Sequence, residues 1–188
     1  AEKHLVVFRR QWPVRLKEDA ESYLQKALNA KIDKTVADLI DSSRLQLDPN
    51  AKLIQEWTQI KLDGADWWLI GQVNEQGQPH GVARMIETDG DRIREGSFVN
   101  GKQHGFGRFI SWNQYYIGEW KDDKYHGQGT LILSFGIYVG AFKEHCGMHG
   151  HGTFTTNQGN VHQGDWKEDK LNGVHYRDLE DEIDEEFY

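Results

Sequence analysis

The chain has 188 residues, with 30 Asp and Glu against 22 Lys and Arg, a formal net charge of −8 and 37% hydrophobic residues. That acidic balance argues against general nucleic-acid binding, because phosphate affinity needs clustered bases. No apolar run approaches the roughly 18 residues of a membrane-spanning helix, and the single Cys146 excludes an internal disulfide and suits a reducing compartment.

The front of the chain is basic, with Lys3, Arg9, Arg10 and Arg15 against Glu2. The run Leu5 to Phe8 is too short for a signal-peptide core, although a cleaved leader would leave no trace in a chain that begins at Ala1. Phe8-Arg9-Arg10-Gln11-Trp12 suits a neighbouring subunit or an acidic surface. Residues 14–45 are expected to form an amphipathic helix. Leu16, Ala20, Tyr23/Leu24, Ala27/Leu28, Ile32, Val36 and Leu39/Ile40 recur every three to four residues, Pro13 stands just ahead, and Asp41-Ser42-Ser43 offers a stop. The stripe packs either on the rest of this chain or on another protein. Asp48-Pro49 has the form of an N-cap followed by a first-turn proline, opening a short helix. Beyond it, Trp57 to Leu62 alternates and ends in the turn signal Asp63-Gly64. Residues 57–70 therefore read as a degenerate half-unit that starts a sheet, with a second helix reaching Leu62 as the alternative.

A repeat then dominates. Gly–x–large-apolar steps stand at Gly71-Gln72-Val73, Gly96-Ser97-Phe98, Gly118-Glu119-Trp120, Gly140-Ala141-Phe142 and Gly164-Asp165-Trp166, at intervals of 25, 22, 22 and 24 residues. Eight or nine residues after each come His80-Gly81, His104-Gly105, His126-Gly127, His149-Gly150 and Asn172-Gly173. A period near 23 with two glycine columns means one supersecondary unit copied in series. Tyr116 to Trp120 and Tyr138 to Phe142 alternate as strands, and Lys121-Asp122-Asp123-Lys124 and Lys167-Glu168-Asp169-Lys170 are polar turns. The return strand carries one large apolar residue: Met85, Phe109, Leu131 or Phe154. Glycine in mid-strand marks a sharp twist or the close approach of another backbone. Each unit is thus a β-hairpin, and five stacked units would span roughly 45–50 Å at two strands per unit.

Tyr116-Ile117-Gly118-Glu119-Trp120, the turn Lys121 to Lys124, and His126-Gly127-Gln128-Gly129-Thr130-Leu131 together resemble the MORN repeat. The resemblance runs over roughly residues 57–175. It departs from the pattern in keeping tyrosine at two of the five positions Leu69, Arg94, Tyr116, Tyr138 and His162, and in placing Ala83 where the second glycine of the first unit belongs. The fourth unit has an extra residue in its turn, and the last stops after His175. The resemblance implies an elongated, gently curved array of hairpins acting in assembly and positioning within cytoskeletal, ciliary and junctional structures. It implies a concave groove that takes up a helix or an extended segment, and phospholipid contact as a further property. MORN units also occur beside catalytic domains such as a SET-type methyltransferase and lipid kinases, and only about 13 residues follow the last unit here.

Chemistry-bearing clusters are few. Glu144-His145-Cys146-Gly147-Met148-His149-Gly150-His151 holds zinc-ligand residue types, but His149 belongs to the repeat column and no second ligand pair accompanies it. Neither a metal nor another cofactor is expected. His80, His104, His126 and His149 read as hydrogen-bonding turn residues, and no nucleophile elbow or phosphate loop is present in the sequence. From Asp178 to Tyr188 there are seven acids and no bases, which leaves the remainder with 22 bases against 23 acids. Leu179, Ile183 and Phe187 stand four apart in this tail, on one helical stripe if it folds. Either it is a disordered acidic end, or it docks in the protein's own groove or on a basic neighbour.

The expected fold is mainly β with an N-terminal helical region: a basic segment and helix over 1–50, a single-layer antiparallel hairpin sheet over 57–176, and an acidic tail over 177–188. The expected role is a non-enzymatic scaffold or structural subunit of a larger intracellular assembly, cytoplasmic, cytoskeletal or ciliary, with a mitochondrial complex left open. Other proteins are the expected partners, lipid surfaces the lesser alternative, and the regulatory array of a larger enzyme a third. Phe98, Trp120, Phe142, Trp166, Phe109, Leu131 and Phe154 are the candidate contact residues, with Leu179, Ile183 and Phe187 from the tail.

Overall fold

The computed structural model describes residues 44–88, 92–111, 114–144 and 147–175. These form one open antiparallel sheet of twelve strands in strict chain order. The strands pair as hairpins: β1 Lys52–Leu62 with β2 Ala65–Val73, β3 Pro79–Glu87 with β4 Arg92–Val99, β5 Lys102–Ser111 with β6 Gln114–Lys121, β7 Lys124–Leu133 with β8 Gly136–Lys143, and β9 Gly147–Thr156 with β10 Val161–Lys167. Two-residue strands, β11 Lys170–Leu171 and β12 Val174–His175, close the array. The expected helix over 14–45 lies, but for its last two residues, outside the described residues, as does the tail from residue 176 onward.

The expected helix at Asp48-Pro49 is not there. Asp48 instead builds a turn, its Oδ1 accepting the Asn50 N–H at 2.8 Å, and β1 starts at Lys52. An Asx turn uses the same Asp side chain that an N-cap would, so the two are alike in sequence. Residues 57–62 are strand, and the half-unit begins five residues earlier than the alternation suggested.

Two-residue loops join strands at Asp63-Gly64, Asn100-Gly101, Asp122-Asp123, Glu168-Asp169 and Asn172-Gly173, and every one of these residues has positive φ. That is the type I′ geometry whose twist matches the flanking strands. Turns of neighbouring units are clasped together. Asp123 Oδ1 accepts the Gln103 N–H at 2.8 Å, and Asp169 Oδ1 accepts that of Met148 at 2.8 Å.

The Gly–x column and the residue two places after each His-Gly glycine, itself a glycine except at Ala83, become one row across the sheet. Gly71, Ala83, Gly96, Gly107, Gly118, Gly129, Gly140, Gly152 and Gly164 stand side by side on successive strands. The row is flat so that rings can lie on it. A Cβ on Gly129 would sit 2.5 Å from the Tyr116 hydroxyl, and one on Gly152 would sit 2.2 Å from that of Tyr138. Beside this row, Leu69, Met85, Arg94, Phe109, Tyr116, Leu131, Tyr138 and Phe154 form a second. Its rings interlock with the Gly–x–aromatic column. Tyr116 meets Trp120 and Phe142 at 5.1 Å, and Tyr138 meets Phe142 at 5.1 Å and Trp166 at 5.2 Å, all edge to face. This aromatic face is the core, because rings of one unit fill the gaps left by the next.

The opposite face divides in two. Over β2 to β5, Ile70, Arg84, Ile93, Glu95 and Ile110 are all 2% exposed or less. Farther along the same rows, Val139 is 54% and Val161 62% exposed. The segment entering the sheet also lies on this face. The Arg44 guanidinium stacks 4.0 Å over the Phe106 ring and pairs with Glu119 at 3.4 Å. Four residues on, the Asp48 N–H donates to Gln72 Oε1 at 3.0 Å, and its carboxylate meets His80 Nε2 at 3.1 Å.

Candidate binding cleft on the aromatic face

The row of large side chains on the aromatic face is interrupted once between its two apolar clusters. One cluster runs from Trp67 to Phe98, the other from Tyr116 to Leu171, and Arg94 stands between them where other units carry leucine, tyrosine or, in the last unit, histidine. A guanidinium on a thin stem does not cover the neighbouring rings as a phenol would. A cleft of about 350 Å³ opens there. Its floor is Phe109, Trp120 and Tyr125, with Phe109 and Trp120 rings 6.5 Å apart and Trp120 and Tyr125 4.8 Å apart. Tyr125 is held by stacking on Tyr116 at 3.8 Å.

The rim is polar and mainly cationic, contributed by Arg94, Lys124 and Lys143, with Asp123 among them. Arg94 reaches Asp123 at 3.4 Å and lies 5.2 Å over the Trp67 ring, so its charge is held in place. Lys143 is exposed and makes no ion pair among the described residues. An aromatic floor under fixed and free cations suits an apolar anchor side chain flanked by carboxylates. Burial pushes the Tyr125 phenol well above its ordinary pKa, so the floor is neutral at physiological pH.

The expected contact residues are placed unequally. Phe98, Trp120, Phe142, Trp166, Leu131 and Phe154 are buried, between 0% and 7% exposed, Phe98 in the first apolar cluster and the other five in the second. Phe109 is partly open, and with the edge of Trp120 it reaches the cleft. Leu179, Ile183 and Phe187 lie outside the described residues. Among the histidines, His80 bonds Asn100 Oδ1 at 3.1 Å and Asp48, whereas Nδ1 of His126 and of His149 is buried without a hydrogen-bond partner among the described residues. His145 and Cys146 are outside the described residues. Among the others, no group of three or more metal-ligating side chains converges.

Sequence reasoning did not single out Tyr125. Its signal was the column before each His-Gly or Asn-Gly pair, occupied by Pro79, Gln103, Tyr125, Met148 and Leu171 and largely buried. A second omission is an ion triad on the opposite face. Glu95 lies in register between Arg84 and Arg108, accepting from Arg84 Nε at 2.5 Å and Arg108 Nη2 at 3.2 Å. Burial pushes the Glu95 carboxyl up to about 7, against the pull of the Arg108 guanidinium. Burial likewise lowers Arg84 to about 10, with Arg108 acting in the same direction.

An open row of hairpins with a flat glycine spine and an interlocked aromatic face defines a stacked β-hairpin repeat array with a side-chain-lined cleft. The MORN repeat family model matches residues 95–111, 116–134, 145–161 and 162–174, and the chain is a MORN-repeat protein. It is similar to alsin of Rattus norvegicus and of Homo sapiens, in each case 30% identical over 109 residues that make up 52% of this chain and 6% of alsin. It is also similar to the inactive protein tyrosine kinase pTKL of Plasmodium falciparum (isolate 3D7), 37% identical over 69 residues, 36% of this chain and 4% of the relative. The chain thus spans less than a tenth of the length of these curated relatives.

Proposed function

We propose that the array is a non-catalytic scaffold that holds a segment of another protein in the Phe109–Trp120–Tyr125 cleft, as a structural subunit of a larger assembly. The cleft at Arg94 carries this reading. It is the place where the aromatic face departs from self-packing and leaves ring surface under cations. MORN repeats in general serve protein or membrane-lipid contacts, and the relatives carry the matched region within far longer chains, consistent with a binding element.

Selection of peptides from a display library tests the reading, with the whole chain as bait and Arg94→Tyr as the counter-bait. The tyrosine restores the row, filling the cleft while keeping the core apolar. Acidic peptides with an aromatic or aliphatic anchor are expected, binding the variant at least tenfold more weakly than the parent. Peptides that bind both proteins equally would remove the cleft from the mechanism. Co-sedimentation with anionic vesicles, equal in the parent and Arg94→Tyr, would favour a lipid surface instead.

A further inference from the structure

On the face opposite the rings, the residue before the row position of one strand pairs with the residue after the row glycine of the next. Four such pairs are in register: Val82–Ser97, Phe106–Glu119, Gln128–Ala141 and His151–Asp165. Two of them set a ring beside a carboxylate. At the first, the Arg44 guanidinium lies 4.0 Å over the Phe106 ring and pairs with Glu119 at 3.4 Å. A planar cation stacked on a ring and bonded at its edge by a carboxylate is an arrangement suited to arginine and not to lysine.

The second pair repeats the ring and the acid. Gln163 Nε2 donates to His151 Nε2 at 3.4 Å, so the ring proton sits on Nδ1 and is donated to Asp165 Oδ1 at 3.3 Å. Both bonds meet the imidazole at its edge and fix its plane, leaving its faces for stacking. The His151 and Asp165 side chains are 68% and 90% exposed, so other molecules reach them. An apolar strip adjoins the pair. Thr153 and Thr155 follow His151 on its own face at two and four places. Val139 is in register with the first, and Ile137 and Val161 with the second. Val139 is 54%, Ile137 36% and Val161 62% exposed.

We infer that His151 and Asp165 form a second arginine seat, one that takes the guanidinium of a segment of another protein whose aliphatic residues lie on Val139, Ile137 and Val161. The occupied pair supplies the chemistry, since Arg44 is held by the same two elements, a ring face and a carboxylate, on the same face of the sheet. An exposed ion pair contributes little by itself, so the aliphatic contacts supply most of the affinity and the arginine supplies the selectivity. The seat is distinct from the Phe109–Trp120–Tyr125 cleft in face and in sign. The cleft presents cations to a ligand, and the seat presents a carboxylate.

The test probes the full chain with an array of immobilised synthetic peptides, each with one central arginine among valine, isoleucine, leucine and serine. Every peptide is also made with lysine or citrulline at its centre. The chain should select arginine peptides with aliphatic neighbours and bind the lysine and citrulline versions at least fivefold more weakly. His151→Ala and Asp165→Asn should each weaken the selected peptides at least fivefold, and Val139→Ser at least threefold. His151→Phe, which copies the ring of Phe106, should bind them within twofold of the parent. The substituted positions are exposed, so the near-ultraviolet circular dichroism of the aromatic face should match the parent's in every variant. Selection without preference for arginine overturns the inference. Undiminished binding by Asp165→Asn or His151→Ala overturns it as well, as does loss of binding in a folded His151→Phe.

Discussion

Tyr116 and Phe142 belong to successive units, and their rings meet edge to face with centroids 5.1 Å apart. The same tyrosine donates its hydroxyl proton to the Glu119 carbonyl at 2.8 Å. One side chain thus links the packing between units to the backbone at the Gly–x–aromatic step. Tyr116→Phe keeps the ring and removes the hydrogen bond, so a loss of about 1 kcal/mol is expected. Tyr116→Ala removes the ring contacts too and should cost about 3–5 kcal/mol. Urea unfolding of both variants measures the difference.

Gly129 makes room for that hydroxyl. The three atoms nearest to an added Cβ there all belong to Tyr116. Gly129→Ala is therefore expected to destabilise by about 1–3 kcal/mol through overpacking. In a Tyr116→Ala background the same change should cost little. A double-mutant cycle with a coupling energy below about 0.5 kcal/mol would show that the glycine row has some other purpose.

Legibility in the sequence followed periodicity. The hairpins, the glycine columns and the aromatic column recur near every 23 residues, so one chemical reason is written several times over. Features present once or twice were hidden. The triad position is Arg at 84 and 108 but Thr at 130 and 153, so the column has no common chemistry to notice. Arg94 looked like one of several departures from tyrosine, and only the register with Phe109 shows that it opens a cleft. At the front of the sheet, Ile54, Trp57 and Ile60 stand three apart and suit a helix as well as a strand. Pairing with β2, with an irregularity between Ile54 and Thr58, decides for the strand. The candidate aromatic residues were placed on one face, but their depth was not legible, because burial depends on rings arriving from the next unit.

The triad predicts a pH dependence for Arg108→Met. Glu95 titrates near 7 when folded because burial raises it, and the Arg108 guanidinium limits that rise. Removing the guanidinium moves the folded value higher. A carboxyl with a raised folded pKa binds extra protons in the folded state above its unfolded value, so its penalty grows as pH rises toward the folded pKa. At pH 5 Glu95 is protonated in both proteins, and the variant loses packing and the hydrogen bonds Arg108 donates to Glu95 and Tyr115. At pH 8, one unit above the parent's folded value, it also loses the support of the ionised form, up to about 1.4 kcal/mol. The gap between parent and variant should widen from pH 5 to pH 8, read by urea unfolding. A constant gap would show that Glu95 is not coupled to Arg108.

Glu168 opens an exposed type I′ turn at φ 53°, a conformation costly for a residue that is neither Gly nor Asn, whereas Asp169 beside it is needed to hold Met148. Glu168→Asn should stabilise the protein by about 0.5–1 kcal/mol. Asp169→Ala, which breaks the clasp, should cost about 1–2 kcal/mol. Melting temperatures moving in opposite directions for the two variants would bear this out.

The scaffold reading is tested most directly by placing p-benzoylphenylalanine at Lys143, on the open rim of the cleft, and illuminating the full chain in extract of its native source. The predicted result is an adduct to one discrete protein segment, rich in carboxylates around an apolar anchor, that disappears when Arg94→Tyr fills the cleft of the still-folded chain. An adduct that persists in Arg94→Tyr, or lipid as the attached species, would contradict it.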